Sequence, residues 1–415
     1  MPPTKIEPNV CQGAIHDCLD EKQRKILTSE GILFEEPLFV KRRATQRQQP
    51  LTRPRSDLEG LGFVPLVGFK ASIKPPVSPL HRAGTYGTIR VLLDVPPNVI
   101  MRDFTQHHWQ PLTQRDFEQL LTLALFEDAD TTGDLTCLAL VPQAAQGSAA
   151  VVARTEGILA GVPLMPLILS AVDSDLVWEP VLDDSAKLTG GTIVGIIRGP
   201  ARGLLAAERL VLNFLGRLSG IATLTKWHVD AVRGTKCNIY DTRKTTPGWR
   251  RLEKYAVACG GGKNHRTGLY DAVLIKDNHL ALGRQESKPF SPAEAVMRAK
   301  EFLRQRLAAL PIVDSPPIVD NPIVEIEVDT LDQLREVLPA EPDIVLLDNM
   351  IPPQITEAIQ IRNSVKPSVQ LEASGGITKE TLRAIAETGV ERISIGALTH
   401  SAVSLDFGLD WESQK

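Results

Sequence analysis

The chain has 415 residues, 43% hydrophobic and 23% charged, with a net charge of −4. That is ordinary globular composition, long enough for two or three domains. Bulk charge argues against a nucleic-acid or membrane-surface binder, and no apolar run approaches the roughly 20 residues of a bilayer span, so any anion site must be a local cluster of cations.

The N-terminus, MPPTKIEPNVCQGAIHDCLDE, carries acids and lacks the apolar core of a signal peptide. Five scattered cysteines, Cys11, Cys18, Cys137, Cys237 and Cys259, form no C-x-x-C pair. Such a set speaks against zinc or a disulfide scaffold and for a reducing, cytoplasmic setting. Residues 1–110 read as a poorly structured extension. Hydrophobic periodicity is weak there, and Pro50, Pro54, Pro75, Pro76, Pro79, Pro96 and Pro97 interrupt it. From Lys41 to Arg55 the run is basic without acids or aromatics, which fits a solvated linker better than a nucleic-acid patch.

From Leu112 the pattern sharpens. An apolar-periodic stretch from Phe117 to Phe126 predicts a helix, with Thr113 as its cap. Strand-like segments follow at 149–161 and 190–199, the second opened by the turn Gly190-Gly191, and then a long helical pattern over 204–232. Beyond Lys236, short β-rich runs each end in polar residues: NIYDTRK, DAVLIKDNH, IVEIEVDT, DIVLLDN, VQLEASGG and RISIGA. Helical patterns separate several of them, at 331–338, 351–363 and 378–389. Nearly continuous apolar strands alternating with helices predict parallel βα units. Their span of about 170 residues is short of a full eight-unit barrel, so an incomplete α/β barrel is expected. The Pro-rich insert 311–322 lengthens one connection.

Active sites of such barrels gather at the C-terminal strand ends. The cations Arg243, Lys244, His265, Arg266 and Lys276 come from the first half of the barrel, and the carboxylates Glu327 and Asp348 from the middle. Glycine turns at Ser374-Gly375-Gly376 and Gly396 come last. Arginines suit carboxylates or phosphates, carboxylates suit Mg²⁺ or sugar hydroxyls, and glycine turns present N–H groups to a phosphate. Together they describe a phosphorylated sugar reacting with an anionic partner. Each residue alone has a duller explanation, but so many polar groups at successive buried strand ends would be costly without a ligand.

The block DTRKTTPGWRRLEKYAVACGGGKNHRTGLYDAVLIKDNH (241–279) resembles the core of the quinolinate phosphoribosyltransferase family. AERLVLNFLGRLSGIAT, GDLT, EIEVDTL, LLDN, EASGGI and ISIGALTHSA match further family blocks in order, so about 300 residues are covered. The resemblance implies a type II phosphoribosyltransferase fold: an α/β sandwich over 111–222, joined by 398–415, and a barrel over 223–397. It implies a dimer in which Arg209 completes the neighbouring site, with quinolinate, phosphoribosyl pyrophosphate and Mg²⁺ as ligands. Arg243, His265 and Arg266 are then expected on the quinolinate carboxylates, with Lys244 and Lys276 near quinolinate and the pyrophosphate end. Glu327 and Asp348 would face ribose and metal, and Ser374, Gly375, Gly396 and His400 the 5′-phosphate. Two other enzyme readings compete: a Schiff-base aldolase using Lys276, and the molybdenum-linked branch of the same fold with another base substrate. A nucleic-acid role for the basic 41–55 run is the non-enzyme alternative.

Overall fold

A computed structural model describes residues 102–285, 288–308 and 322–411. The basic run 41–55 lies outside the described residues, as does the insert 311–322 except for Pro322. Residues 102–110, expected within the poorly structured extension, are instead anchored. Phe104 is buried with Ala272, Ile323 and Ile344, and Arg102 pairs with Asp343 at 2.9 Å. One aromatic residue and a few polar anchors, each meeting a residue far away in sequence, leave no periodicity to read.

Helix α1 (Pro111–Ala129) follows. Pro111 occupies its first turn, where a missing N–H costs nothing. Thr113 is therefore not the cap. It lies inside the helix, fully buried, and its hydroxyl donates to the His108 carbonyl at 3.3 Å. The sandwich sheet contains β1 (Gln146–Ala153), β2 (Val177–Pro180) and β3 (Ile193–Pro200). Its order is β10-β1-β3-β2, all antiparallel, where β10 (Phe407–Trp411) is the last strand of the chain.

The long helix α2 (Ala201–Ala231) connects this sheet to the barrel, its buried side running from Leu204 through Phe214 to Thr225. Two glycines on it let the returning chain approach. The Leu405 N–H donates to the Gly216 carbonyl at 2.9 Å, and a Cβ on Gly220 would overlap the Val403 carbonyl. Backbone lies against backbone here.

The barrel strands are β4 (Asn238–Tyr240), β5 (Ala272–Ile275), β6 (Ile323–Val328), β7 (Ile344–Asp348), β8 (Gln370–Ser374) and β9 (Arg392–Ser394). They pair in parallel in the order β4-β9-β8-β7-β6-β5. The sheet does not close strand to strand. Helix α3 (Arg250–Cys259) follows β4, and the loop after it enters the gap between the edges. There Lys263 makes a parallel bridge to Tyr240, and the Arg266 guanidinium donates to the Ala272 carbonyl at 3.4 Å. The fold is thus an α/β sandwich joined to an incomplete parallel barrel.

Gly220→Ala should force the 403–405 segment off the helix. Overpacking of this kind costs about 2 kcal/mol, or about 5 °C in Tm for a domain of this size. Thermal unfolding checks it; an unchanged Tm would place that segment elsewhere.

Candidate active site

A cleft of about 610 Å³ opens at the C-terminal ends of the barrel strands. Arg243, Lys244, His265, Arg266, Lys276, Glu327, Asp348, Ser374, Gly375, Gly396 and His400 all line it. Of the residues singled out in the sequence, Arg209 alone is elsewhere. It borders a separate pocket of about 200 Å³ with Asn213, Ser404 and Asp406, because α2 carries it away from the strand ends.

One side of the cleft is cationic and unsatisfied. Neither Arg243 nor Arg266 has a carboxylate within ion-pair distance among the described residues, and the Arg243 Nε is buried without a partner. Burial and then the neighbouring Arg243 charge pull the Arg266 pKa down. A buried guanidinium beside a half-buried one is unfavourable until an anion joins them.

The loops carrying these groups are held from below. Lys254 on α3 and Asp241 after β4 are both fully buried and paired. The Lys254 ammonium also donates to the His265 carbonyl at 2.8 Å. Asp241 accepts from the Asn264 side chain at 2.7 Å and the His265 N–H at 2.8 Å. Glu253, beside Lys254, is held by Arg217 at 2.6 Å and accepts from Thr246 N–H at 3.1 Å and hydroxyl at 2.8 Å. Arg250 spans both loops, donating to the Thr245 hydroxyl at 3.0 Å and the Thr267 carbonyl at 3.1 Å.

Beneath the cleft lies a second charged layer. His265 Nε2 stands 3.0 Å from Glu325 and 3.4 Å from Glu372. Arg392 donates to Glu372 at 2.9 Å, and to Asp103 and the Tyr240 hydroxyl, each at 3.0 Å. The Arg266 N–H donates to His265 Nδ1 at 2.8 Å, so the ring's own proton lies on Nε2, facing the carboxylates. Burial opposes a further proton on His265, yet Glu325 and Glu372 raise its pKa to about 9. Burial raises the pKa of Glu325 as well, so this pair retains an extra proton near neutrality. Burial also works against ionised Glu372, but His265 and Arg392 outweigh it and lower its pKa to about 2. His265, Glu325 and Glu372 have the composition of a metal site, but Arg392 already supplies the cation.

The opposite side of the cleft is acidic and polar. Lys276 pairs with Glu327, and Asp348 accepts from the Asn349 side chain at 2.7 Å. Gly375 has φ +85°, and a Cβ there would stand 2.9 Å from Asp348 Oδ1. At Gly396 a Cβ would lie 2.8 Å from the Lys244 chain and 3.3 Å from His400. Only glycine leaves the backbone open at both turns. Glu325, Glu372 and Arg392 were not singled out from sequence as site residues. A signal for them exists: each stands two positions before a cleft residue on its own strand (Glu327, Ser374 and Ser394), and thus on the same face.

Lys254→Met would leave Asp241 buried and unpaired. A loss of about 3–5 kcal/mol is expected in denaturant unfolding, and adding Asp241→Asn should restore part of it. Stability equal to wild type in the single variant would refute the pairing.

Comparison with known proteins identifies the family. Residues 134–219 match the family model for the quinolinate phosphoribosyl transferase N-terminal domain, and residues 221–410 that for the C-terminal domain. A nicotinate-nucleotide pyrophosphorylase (carboxylating) of Mycobacterium leprae is 44% identical over 290 residues, 69% of this chain and 94% of that protein. A mitochondrial quinolinate phosphoribosyltransferase (decarboxylating) of Nicotiana tabacum is 38% identical over 312 residues, 72% of this chain and 83% of that one. The solved nicotinate-nucleotide pyrophosphorylase of Francisella tularensis superposes with a TM-score of 0.64 at 35% identity, covering 75% of this chain and all of that one.

Proposed function

The chain belongs to the quinolinate phosphoribosyltransferase family, and on that premise we infer that its cleft joins quinolinate to phosphoribosyl pyrophosphate. The products are nicotinate mononucleotide, pyrophosphate and CO₂, a step of NAD synthesis. The observation that carries this reading is the arginine pair of buried Arg266 and half-buried Arg243, with no protein carboxylate in ion-pair distance among the described residues. Two adjacent substrate carboxylates match two adjacent guanidiniums in charge and fork geometry. His265 forms the floor beneath them: its Nδ1 accepts the Arg266 N–H and its Nε2 faces Glu325, so it holds the Arg266 backbone in place.

The ring nitrogen of quinolinate attacks the ribose C1 as the C1–oxygen bond to pyrophosphate breaks. Positive character at C1 is stabilised by Glu327 and Asp348, and charge on the leaving group by Lys244 and Lys276. Alignment of nitrogen and C1 is chiefly an entropic task, performed by the arginines at one end. Ser374, Gly375, Gly396 and His400 hold the 5′-phosphate at the other. The alkylated ring nitrogen then accepts the electron pair released when the adjacent carboxylate leaves as CO₂, and a proton takes its place on carbon. The substrate is its own electron sink.

Glu327 and Asp348 give an all-oxygen donor set on adjacent strands, which fits Mg²⁺ and would hold it beside the substrate. Bound there, the ion would supply positive charge to the pyrophosphate leaving group. An aldolase reading is disfavoured because Lys276 is paired with Glu327 rather than desolvated alone. Arg209, away from the cleft of its own chain, is assigned to the site of a second copy in a homodimer. The unpaired thiols Cys137, Cys237 and Cys259 support a cytoplasmic setting, and no described helix is long and apolar enough to cross a membrane.

Purified full-length protein with Mg²⁺, phosphoribosyl pyrophosphate and quinolinate should release nicotinate mononucleotide and CO₂ in equal amounts. Arg243→Ala should lower kcat/KM at least about 100-fold. Formation of neither product, or of nucleotide without CO₂, would overturn the assignment. Mixing and refolding inactive Arg209→Ala with inactive Lys244→Ala chains should restore about a quarter of wild-type activity, because half the dimers then contain one intact site. No recovery would return Arg209 to its own chain.

A further inference from the structure

Residues Asp103–His107 lie ahead of residue 134, where the match to the two family domains begins, yet apart from the packing of Phe104 on Ala272, Ile323 and Ile344 their polar contacts beyond the segment go to the loop carrying His265 and Arg266 or to the polar groups below it. Gln106 treats Asn264 as a strand neighbour would. Its side-chain NH₂ donates to the Asn264 carbonyl at 3.2 Å, and its side-chain oxygen accepts the Asn264 N–H at 2.9 Å. The His107 N–H donates to the Asn264 side chain at 2.6 Å, and its ring meets the Thr267 hydroxyl at 2.6 Å. Phe104 lies against the His265 ring with centroids 4.2 Å apart. Asp103 neutralises Arg392 at 3.0 Å, on the far side of Glu372.

This loop needs an external hold. It has no strand of its own, and it keeps a desolvated Arg266 beside the like charge of Arg243. Asp241 and Lys254 grip Asn264 and His265 from the barrel side. Gln106 and His107 grip Asn264 and Thr267 from the outside, and Phe104 covers the His265 ring. Without the outer hold, repulsion between the guanidiniums can swing Arg266 away, and a carboxylate-binding pair preset at little entropic cost is lost.

We propose that Asp103–His107 is a positioning strap for the quinolinate-binding side of the cleft, with Gln106 as its principal positioning residue. This rests on the functional reading above. The strap touches none of the groups assigned to phosphoribosyl pyrophosphate, so its effect falls on one substrate only.

The test uses Gln106→Ala and Gln106→Glu in the full chain. Loss of two neutral hydrogen bonds should raise the quinolinate KM about tenfold in Gln106→Ala. The KM for phosphoribosyl pyrophosphate should stay within about twofold, and Tm within about 2 °C, since no core residue changes. Gln106→Glu, whose carboxylate still accepts the Asn264 N–H but has no proton for the Asn264 carbonyl, should recover only part of the loss. Hydrogen exchange should quicken at 264–267 in Gln106→Ala and stay unchanged at 146–153. An unchanged quinolinate KM overturns the proposal, as does a rise in both KM values accompanied by a lowered Tm, which marks a merely structural role. If wild-type protein does not turn quinolinate over, the functional reading fails instead. The strap is then judged by exchange alone, and unchanged exchange at 264–267 overturns it.

Discussion

The ion pair between Asp241 and Lys254 is the interaction on which the site depends. Both groups are removed from water, and such a pair persists only if every remaining donor and acceptor is satisfied. Satisfying them sets the geometry. The Asp241 oxygens take the Asn264 side chain and the His265 N–H, and the Lys254 protons take the His265 carbonyl. The loop 264–266 therefore has one place to go. A loop of the same length without this buried pair would be an ordinary surface connection. With it, two cationic side chains are delivered to the cleft at fixed positions.

A second consequence concerns charge layering inside the barrel. Successive inward positions along the strands change character from bottom to top. Ala272, Ile323 and Ile344 are apolar and pack on Phe104. Two positions further along, Glu325 and Glu372 meet His265 and Arg392 away from solvent. At the top, Lys276, Glu327, Asp348 and Ser374 reach the cleft. Strand alternation by itself demands only that these residues share a face. The middle layer rests on mutual neutralisation, with Arg392 and the proton shared by His265 and Glu325 set against the carboxylates.

These features differ in how far the amino-acid order exposes them. The top layer is legible because its residues end apolar runs, and an abrupt change from Val-Leu-Ile to Lys or Asp is a strong local signal. Parallel strands separated by helices are legible for the same reason, through continuous hydrophobicity and spacing. Glu325, Glu372 and Arg392 sit inside strands, where a single charge reads as noise until its partners on other strands are known. Thr113 suits the cap of α1 by residue type, but Pro111 fixes the helix start two residues earlier. Residues 102–107 defeat periodicity altogether, because Arg102, Asp103, Phe104, Gln106 and His107 anchor to distant residues by contacts of different kinds.

Arg209 shows the remaining gap between sequence and site. Its block is as recognisable as that of Arg243, yet the two side chains border different pockets of one chain. A local pattern reports that a residue belongs with a site; its expected place in a neighbouring copy comes only from what the family resemblance implies. The physical discriminator is the path of the backbone. Arg243 follows a barrel strand directly, whereas Arg209 rides on α2, a helix about 46 Å long by its 31 residues that runs from the sandwich to the barrel. A rigid rod of that length holds its early turns apart from the strand ends, so Arg209 and Arg243 border different pockets of one chain although both stand in recognisable blocks.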